Sequence, residues 1–489
     1  IIGDSIGVYF SYNFNKPTDI EVKIGVSYVS IENARENLQK EVLGLDFDAI
    51  KDKAKQQWNK LLSRVEVEGG TESDKTIFYT ALYHTLIHPN IFNDINGEYP
   101  KMKTRETLKT KGTRFTVFSL WDTYRNLHQL MSLIYPEQQS NMIKSMISIY
   151  KESGWLPKWE LNATETTTMV GDPAAIVIAD AYLRGIQDFN VELAYKAMIK
   201  SATQIENNPL RPGIKEYLKK GYLTTASTKS GSVSTTQEYN ISDFAISQLA
   251  RVLNKNTDCD KYRKQSLSYR KLFDKELNLL RPKRADNSWV SPFNPKTGAN
   301  FQKNLGFIEG NSWQYTFMVS HDIKELIKMM GGESNFVNQL EKVFELHQYD
   351  MANEPDIGYP FLFNYIKGEE WRSQKKVRLL IEKHFQNKPE GLPGNDDTGT
   401  MSAWLIHAMM GIYPISPAEP IYTITTPMFN KITIRLNPKY YKNKKLTITR
   451  NGPKEGKIHA IQLKGKKLNK FFVSHRELTN SSSIKIQTK

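Results

Sequence analysis

The chain has 489 residues, with 67 Lys and Arg against 52 Asp and Glu, a formal net charge of +15 and one cysteine, Cys259. That length accommodates about two to four domains with a large buried core, while the single cysteine excludes an internal disulfide framework. No run approaches the ~18 consecutive apolar residues of a membrane span, and 39% hydrophobic with 11% aromatic residues is a globular composition.

Ile1 to Ile31 alternates in short apolar runs, Gly7-Val8-Tyr9-Phe10 and Ile20-Glu21-Val22-Lys23-Ile24-Gly25-Val26 among them, broken by Asn15-Lys16-Pro17. Residues 1–32 are therefore expected to be the remnant of an N-terminal β-sandwich domain whose earlier strands precede Ile1. No basic-then-apolar leader is legible at Ile1-Ile2-Gly3, so no signal peptide is expected within this chain. From Asn33 to about Ser63 the spacing turns helical, with Phe47, Ile50, Ala54, Trp58, Leu61 and Leu62 on one stripe. With the strand pattern Val65-Glu66-Val67-Glu68, residues 33–70 read as a linker helix and strand.

Helical segments follow near 73–90, 121–134, 138–152, 173–186, 191–204, 239–254, 260–276, 312–329, 335–346, 358–366, 371–385 and 400–411, separated by Gly, Pro and Asn. Twelve helices between 71 and 417 suit an (α/α)6 toroid, in which inner and outer helices alternate and the connections at one end build a concave site. Past Pro414-Ile415-Ser416-Pro417 the alternation returns to β, at 421–424, 432–434, 446–448, 458–461 and 484–486. The expected fold is mostly α with β: a toroid, a β-sandwich domain, and a basic β-rich segment, 418–489, packing on the β domain.

The charge is unevenly spread. Residues 431–489 hold 16 Lys and Arg and two acids, Glu455 and Glu477, whereas the preceding 430 residues hold 51 and 50. A nucleic-acid reading of the tail is disfavoured, because its lysines alternate with strand apolars as a solvated sheet face does.

Three loop segments carry the chemistry. Gly391 to Trp404 offers Asn395, Asp396, Asp397 and Thr398 ahead of an apolar helix; an N-cap needs one such residue, so capping and function stand at even odds. Glu309 precedes Gly-Asn-Ser and an aromatic helix; it is either an acid facing a pocket or a first-turn acid favoured by the helix dipole, the latter about three to one. Asn353, Glu354 and Asp356 supply oxygen ligands of the kind a hard cation takes, though without EF-hand spacing, so a polar turn is the simpler reading. Upstream, Phe118-Ser-Leu-Trp-Asp-Thr-Tyr-Arg125 and Gly154-Trp-Leu-Pro-Lys-Trp-Glu160 mix aromatic rings with charge, which suits a carbohydrate or ordinary helix packing. A His-Glu-x-x-His zinc site, phosphate-binding glycine loops and the Gly-x-Ser-x-Gly elbow are all absent.

In this order, Phe118 to Arg125, Leu156 to Glu160 with Met169 to Pro173, Ser232 to Tyr239, Ile308 to Asp322, Ala352 to Tyr359 and Leu392 to Trp404 resemble glycoside hydrolase family 92, the calcium-dependent exo-acting α-mannosidases. The resemblance implies a leading β-sandwich, an (α/α)6 catalytic domain and an active site between them. It implies inverting hydrolysis of terminal α-linked mannose from N-glycans or mannan, with Glu309 as general acid and Asp397 as general base. Ca2+ is the implied cofactor, binding the sugar's O2 and O3 hydroxyls, with Asn353 and Glu354 among its ligands. Trp121, Asp122, Trp159, Glu160, Asp172 and Trp313 are the expected mannose pocket. Many family members carry Asp where Asn395 stands, leaving Asp396 as the substitute helper carboxylate. Met351-Ala352 replaces the His-Glu pair typical of α-1,2-specific members, which leaves α-1,3, α-1,4 and α-1,6 linkages open, and the retained Glu309 disfavours mannosyl phosphates. The expected location is periplasmic or secreted, in a bacterium, and the expected partners are α-mannoside glycans, with no nucleic acid and no membrane span. The alternative reading is a mannoside-binding protein of the same fold without turnover.

Overall fold

Along the helical stretch, amphipathic segments alternate with segments buried on nearly every side. The amphipathic ones are Glu72–His84, Pro136–Ser153, Val191–Thr203, Asn256–Gln265, Glu333–Glu345 and Glu370–His384. Each leads to a buried partner: Leu127–Ile134, Ala174–Leu183, Ser232–Val252, Ser312–Thr316, the 3₁₀ segment Tyr359–Tyr365 and Thr400–Met410. A helix without a polar face belongs inside the molecule, which is why these sequences occupy its centre.

The buried segments touch one another in turn. Leu127–Ile134 packs on Ala174–Leu183, and that on Ser232–Val252. Gln237 Nε2 donates to Tyr315 O at 2.7 Å. The Tyr359 hydroxyl donates to Gln314 O and accepts from Phe317 N, and Trp404 Nε1 donates to Ile357 O at 2.8 Å. Thr400–Met410 then returns to Leu127–Ile134.

This computed structural model describes residues 7–489; Ile1 to Ile6, the start of the expected β remnant, lie outside the described residues. Residues 7–29 contain no strand, and the side chains of Tyr9, Phe10, Val22, Ile24 and Val26 are exposed. The alternation is there, but no neighbouring strand among the described residues completes a ladder, and an unpaired strand is not stable alone. In place of one linker helix there are two, Ile31–Glu41 and Phe47–Leu62. Gly44, at φ +88°, turns the chain between them, and the Asp46 side chain caps the second by accepting from Ala49 N. The expected stripe on that second helix buries none of its residues.

Other boundaries move for local reasons. The segment expected at 121–134 breaks into Leu120–Thr123 and Leu127–Ile134, and 312–329 breaks into Ser312–Thr316, a short 3₁₀ turn and Ile323–Met329. The helix expected from 239 begins at Ser232, because hydroxyls that favour turns in isolation are satisfied by other loops here: Ser234 Oγ accepts from Ile308 N and Thr236 Oγ1 from Leu223 N. Ile214–Lys220, between Gly213 and Gly221, was not anticipated.

The tail forms a six-stranded sheet with one strand from the front of the chain. Its strands are β1 (Val65–Glu68), β2 (Lys431–Arg435), β3 (Lys445–Asn451), β4 (Ile458–Leu463), β5 (Lys466–Lys467) and β6 (Ser483–Thr488), in the spatial order β1-β2-β3-β6-β4-β5. All neighbours are antiparallel except β3 and β6. One face buries Val65, Ile432, Ile434, Leu446, Ile448, Ile461, Ile484 and Ile486, as strict alternation on a half-buried sheet demands. The tail docks on the helices: the Tyr441 hydroxyl donates to Ser132 O, Ile458 N donates to Gln374 Oε1 at 2.9 Å, and Phe429 meets Phe78 at 5.3 Å between ring centroids.

Candidate active site

Four connections carry the acidic residues. The first is the turn from the strand Phe118–Ser119 into the short helix Leu120–Thr123. The strand is fixed by Phe118 pairing with Glu160 and Ser119 with Trp159. Asp122 is buried there and accepts from Ser119 Oγ.

The second is the loop 306–311. Asn311 caps Ser312–Thr316 and forms a capping box with Gln314, so the helix does not need Glu309 as a first-turn acid. Glu309 stands outside the helix at φ +47°, half-buried, held at its backbone by Gln302 O and Asn353 Nδ2.

The third is the loop 350–358, whose turn is built by Asp350, accepting from Ala352 N, and Asp356, accepting from Asp350 N. Asn353 is thereby free to tie this loop to Glu309 and to accept from Glu354 N. Glu354 is buried, and its Oε1 has no hydrogen-bond donor.

The fourth is the loop 391–399. Asp397, Thr398 and Gly399 occupy the left-handed region in succession, at φ +46°, +55° and +101°. A Cβ at Gly399 would lie 3.2 Å from Thr85 Cα, so that position needs glycine on two counts. Asp396 Oδ1 accepts from Ser402 N at 2.8 Å, capping the Thr400–Met410 helix. Capping and chemistry are thus divided between neighbours: Asp396 serves the helix, and Asp397 is left for the site.

The electrostatics bring these loops to one place. The Asp122 carboxyl is raised well above its ordinary value by burial, then by the charge of Asp397, with Glu309 adding to it. Glu354 is raised well above its ordinary value by burial, Asp122 and Asp397. Glu309 is raised by burial and by Asp397. Asp397 is raised by burial, yet its contact with Glu354 acts in the opposite direction. The same contact raises Glu354, so the two carboxyls titrate as a pair in which one ionises more readily than both together.

Arg125 is the counter-charge that sequence reasoning did not single out, although it ends one of the quoted segments. It is buried, stacks over Trp121 and Tyr124 with 4.7 and 4.6 Å to the ring centroids, and donates to Glu238 Oε1 at 3.0 Å. Its charge lowers Asp122, Glu238 and Glu354. Glu238 was legible as a lone acid on the otherwise uncharged turns that open the Ser232–Val252 helix, where an acid needs a buried partner.

The remaining expected pocket residues divide. Glu160 is fully buried and turned to Thr116 Oγ1 and Ala163 N, so it holds a turn. Asp172 is buried in an ion pair with Arg211, 3.0 Å to Nε. Trp121 is fully buried with its ring under Arg125, which leaves no free face for a sugar. Trp159 is half-buried, and Trp313 is nearly buried with its indole N–H unpartnered. Asp122, Glu309, Asn353, Glu354 and Asp397 are the residues brought together.

Among the described residues no group of three or more His, Cys, Asp and Glu forms a ready-made cation site. The donor chemistry nevertheless fits a hard cation. Glu354 presents a buried oxygen that no donor reaches, within a set of carboxylates that raise one another. Calcium takes about six to eight oxygens, so amide or carbonyl groups, water and a ligand have to supply the remainder.

The chain matches the glycosyl hydrolase family 92 catalytic domain over residues 33–489. It is 26% identical, across 98% of its length and 61% of the relative's, to an uncharacterized secreted glycosidase of Arthroderma benhamiae. A family GH92 α-mannosidase from Bacteroides thetaiotaomicron superposes with a TM-score of 0.87 at 32% identity, over 94% of this chain and 61% of that one. A second structure of that enzyme, in complex with mannoimidazole, gives 0.87 at 31% identity, over 94% and 62%. A family GH92 inverting mannosidase of the same organism gives 0.87 at 28%, over 95% and 65%. The chain therefore spans about three fifths of the length of these relatives.

Proposed function

The chain belongs to glycosyl hydrolase family 92, and from that premise we propose that it is an inverting exo-α-mannosidase that removes terminal mannose from N-glycans or mannan with Ca2+ assistance. The observation that carries the reading is the convergence of Asp122, Glu309, Glu354 and Asp397 from four separate connections onto one charge cluster. Inverting hydrolysis requires a protonated carboxyl on the leaving oxygen and an ionised one on water at the opposite face. Glu309, raised by burial and by Asp397, keeps its proton for the glycosidic oxygen. Asp397 takes a proton from water, while Arg125 and a proton or cation at Glu354 limit the repulsion that its ionisation creates. Calcium held by Asn353 and Glu354 would supply positive charge to the sugar's O2 and O3 hydroxyls.

The alternation of buried and amphipathic helices, with the last buried helix packed on the first, supports the (α/α)6 toroid for residues 71–417. On this reading 1–32 belongs to the β-sandwich domain, 33–70 is the linker, and 418–489 is the β-rich segment. Ala352, against which a Cβ at Gly394 would lie at 2.9 Å, and the buried Met351 support linkages other than α-1,2, since neither offers a polar group to a leaving mannose. Similarity to a secreted glycosidase supports action outside the cytoplasm.

The direct test is ¹H NMR of product from α-linked mannobioses sampled before mutarotation. β-Mannose is expected, and α-mannose as first product would refute inversion. Glu309→Gln should lose about 10² to 10⁴ in kcat/KM on a natural leaving group and far less on an activated aryl mannoside. Full activity of that variant on mannobiose removes the acid assignment. Chelator should abolish hydrolysis and lower the unfolding temperature, and calcium should restore both. Saturating calcium at about 100 times its Kd adds about 2.7 kcal/mol to stability, and Glu354→Gln should show no calcium-dependent shift.

A further inference from the structure

Three successive left-handed residues, Asp397, Thr398 and Gly399, make the loop 391–399 costly to hold, and such backbone persists only where its surroundings over-determine it. Several of the bonds that hold it are local. Asp396 O accepts from Gly399 N and Met401 N at 3.1 and 3.2 Å, and Asp396 Oδ1 accepts from Ser402 N. A tie to a separate element comes from the last turn of the Glu72–His84 helix, where His84 Nδ1 lies 3.3 Å from Ser402 Oγ. The Ser402 hydroxyl also bonds the Asp396 carboxyl, and the His84 charge acts on that carboxyl in the same lowering direction. The next residue, Thr85, is the one whose Cα leaves little room for a Cβ at Gly399.

A histidine at a helix C-terminus is favourable by itself, because its charge complements the macrodipole. That accounts for a histidine at 84, but not for its ring nitrogen meeting a serine of the Thr400–Met410 helix. A serine hydroxyl has one proton to give. When Ser402 gives it to Asp396, Ser402 accepts from His84, so Nδ1 carries the hydrogen and the donors run in the order His84, Ser402, Asp396. His84 is half-buried beside Phe385, Lys388 and Leu392, and it is not among the groups whose charge acts on Glu309, Glu354 or Asp397. Any effect on the chemistry therefore passes through the loop.

We propose that His84 is a positioning residue for the base: through Ser402 and Asp396 it holds the loop 391–399 in the path that turns Asp397 toward Glu354. The kinetic consequence rests on the mannosidase reading; the geometric one does not.

The test is made on the full chain. His84→Leu removes the donor and keeps an apolar side chain. Its kcat on the α-linked mannobiose that the parent cleaves should fall about tenfold, the order expected when a reacting group is displaced by less than about 1 Å. KM should change little, because the loops that carry Glu309, Asn353 and Glu354 are untouched. His84→Asn, whose amide places a donor near the position of Nδ1, should restore most of kcat. Ser402→Ala should lose as much as His84→Leu, and the double variant no more than either, since the two side chains act as one relay. A packing role alone predicts that His84→Leu outperforms His84→Asn. Unchanged kcat in His84→Leu, equal losses in His84→Leu and His84→Asn, or additive losses in the double variant overturns the proposal. If His84→Leu melts early, Ser402→Ala is read in its place, and parental kcat there overturns it equally. If the parent cleaves no mannoside, the mannosidase reading fails, and backbone amide NMR decides the positioning: the Asp397, Thr398 and Gly399 signals should move in His84→Leu and return toward the parent's in His84→Asn, and unmoved signals overturn it.

Discussion

Neighbouring carboxylates in one loop do different work. Asp396 accepts from Ser402 N at the start of the Thr400–Met410 helix, whereas Asp397 faces Glu354 and Glu309. Asp396→Ala should cost about 1 kcal/mol of stability, the usual worth of a cap, with catalysis partly retained. Asp397→Asn should leave the unfolding temperature close to that of the parent and remove hydrolysis; thermal scans and rate assays on the two variants distinguish them. The Glu309 carboxyl is raised by burial and by Asp397, and on the proposed assignment its acid form is the working form. Hydrolysis should therefore fall as pH rises through its folded-state value. Because Asp397 contributes to that elevation, Asp397→Asn should move the Glu309 midpoint downward in a carboxyl NMR titration. The stability sign follows from the same shift: raised carboxyls favour the protonated folded state, so their contribution is fully present below the unfolded value and lost as pH rises through the folded one. Sequence made both aspartates visible as an excess over what a cap requires. Spacing alone did not separate them, because one residue of chain turns a side chain to a different side; only the family resemblance singled out Asp397.

Between elements, a buried charge network ties the turn before Ala174–Leu183 to Ser232–Val252. Arg211 pairs with Asp172 and, at 2.8 Å, with Asp243, whose other oxygen accepts from the Tyr217 hydroxyl at 2.7 Å. Arg211 also lies over the Tyr239 ring. Removing it strands two buried carboxyls, so Arg211→Ala should destabilise by about 3–5 kcal/mol, read as an early melting transition. Asp172→Asn should cost less, because it deletes one charge and leaves Arg211 paired with Asp243. This network explains why Asp172 resembled a pocket residue: aromatic and charged side chains crowd together for a buried ion pair as they do for a sugar. Burial separates the two readings. The helices themselves were largely legible, since periodicity and Gly punctuation are local signals. Ser232 to Thr236 was the exception, its hydroxyls finding partners in loops about 13 and 74 residues away.

At the scale of the whole molecule, β1 precedes every helix of the body and β2 follows them, yet they pair from Val65 with Ile434 to Glu68 with Lys431. The sheet therefore closes the chain on itself, and the tail is part of the folded body rather than an appendage. Deleting residues 431–489 removes five of the six strands and uncovers Val65, Phe78 and Phe429. The truncated chain should fail to fold cooperatively, as judged by loss of a sharp thermal transition and rapid proteolysis. The basicity of this region is consistent with that role: one face of each strand is core, and the lysines occupy the other. Local pattern determined the helical and strand segments, the position of the basic face and, through ordered motifs, the family. Tertiary structure decided which acids meet, because the meeting of Asp122, Glu309, Glu354 and Asp397 depends on connections as much as 275 residues apart in the chain, and no local pattern carries a distance. It also placed Glu160 and Asp172 in buried contacts of their own and Arg125 beside the raised carboxyls, since desolvation and mutual repulsion exist only once the carboxyls share one buried place.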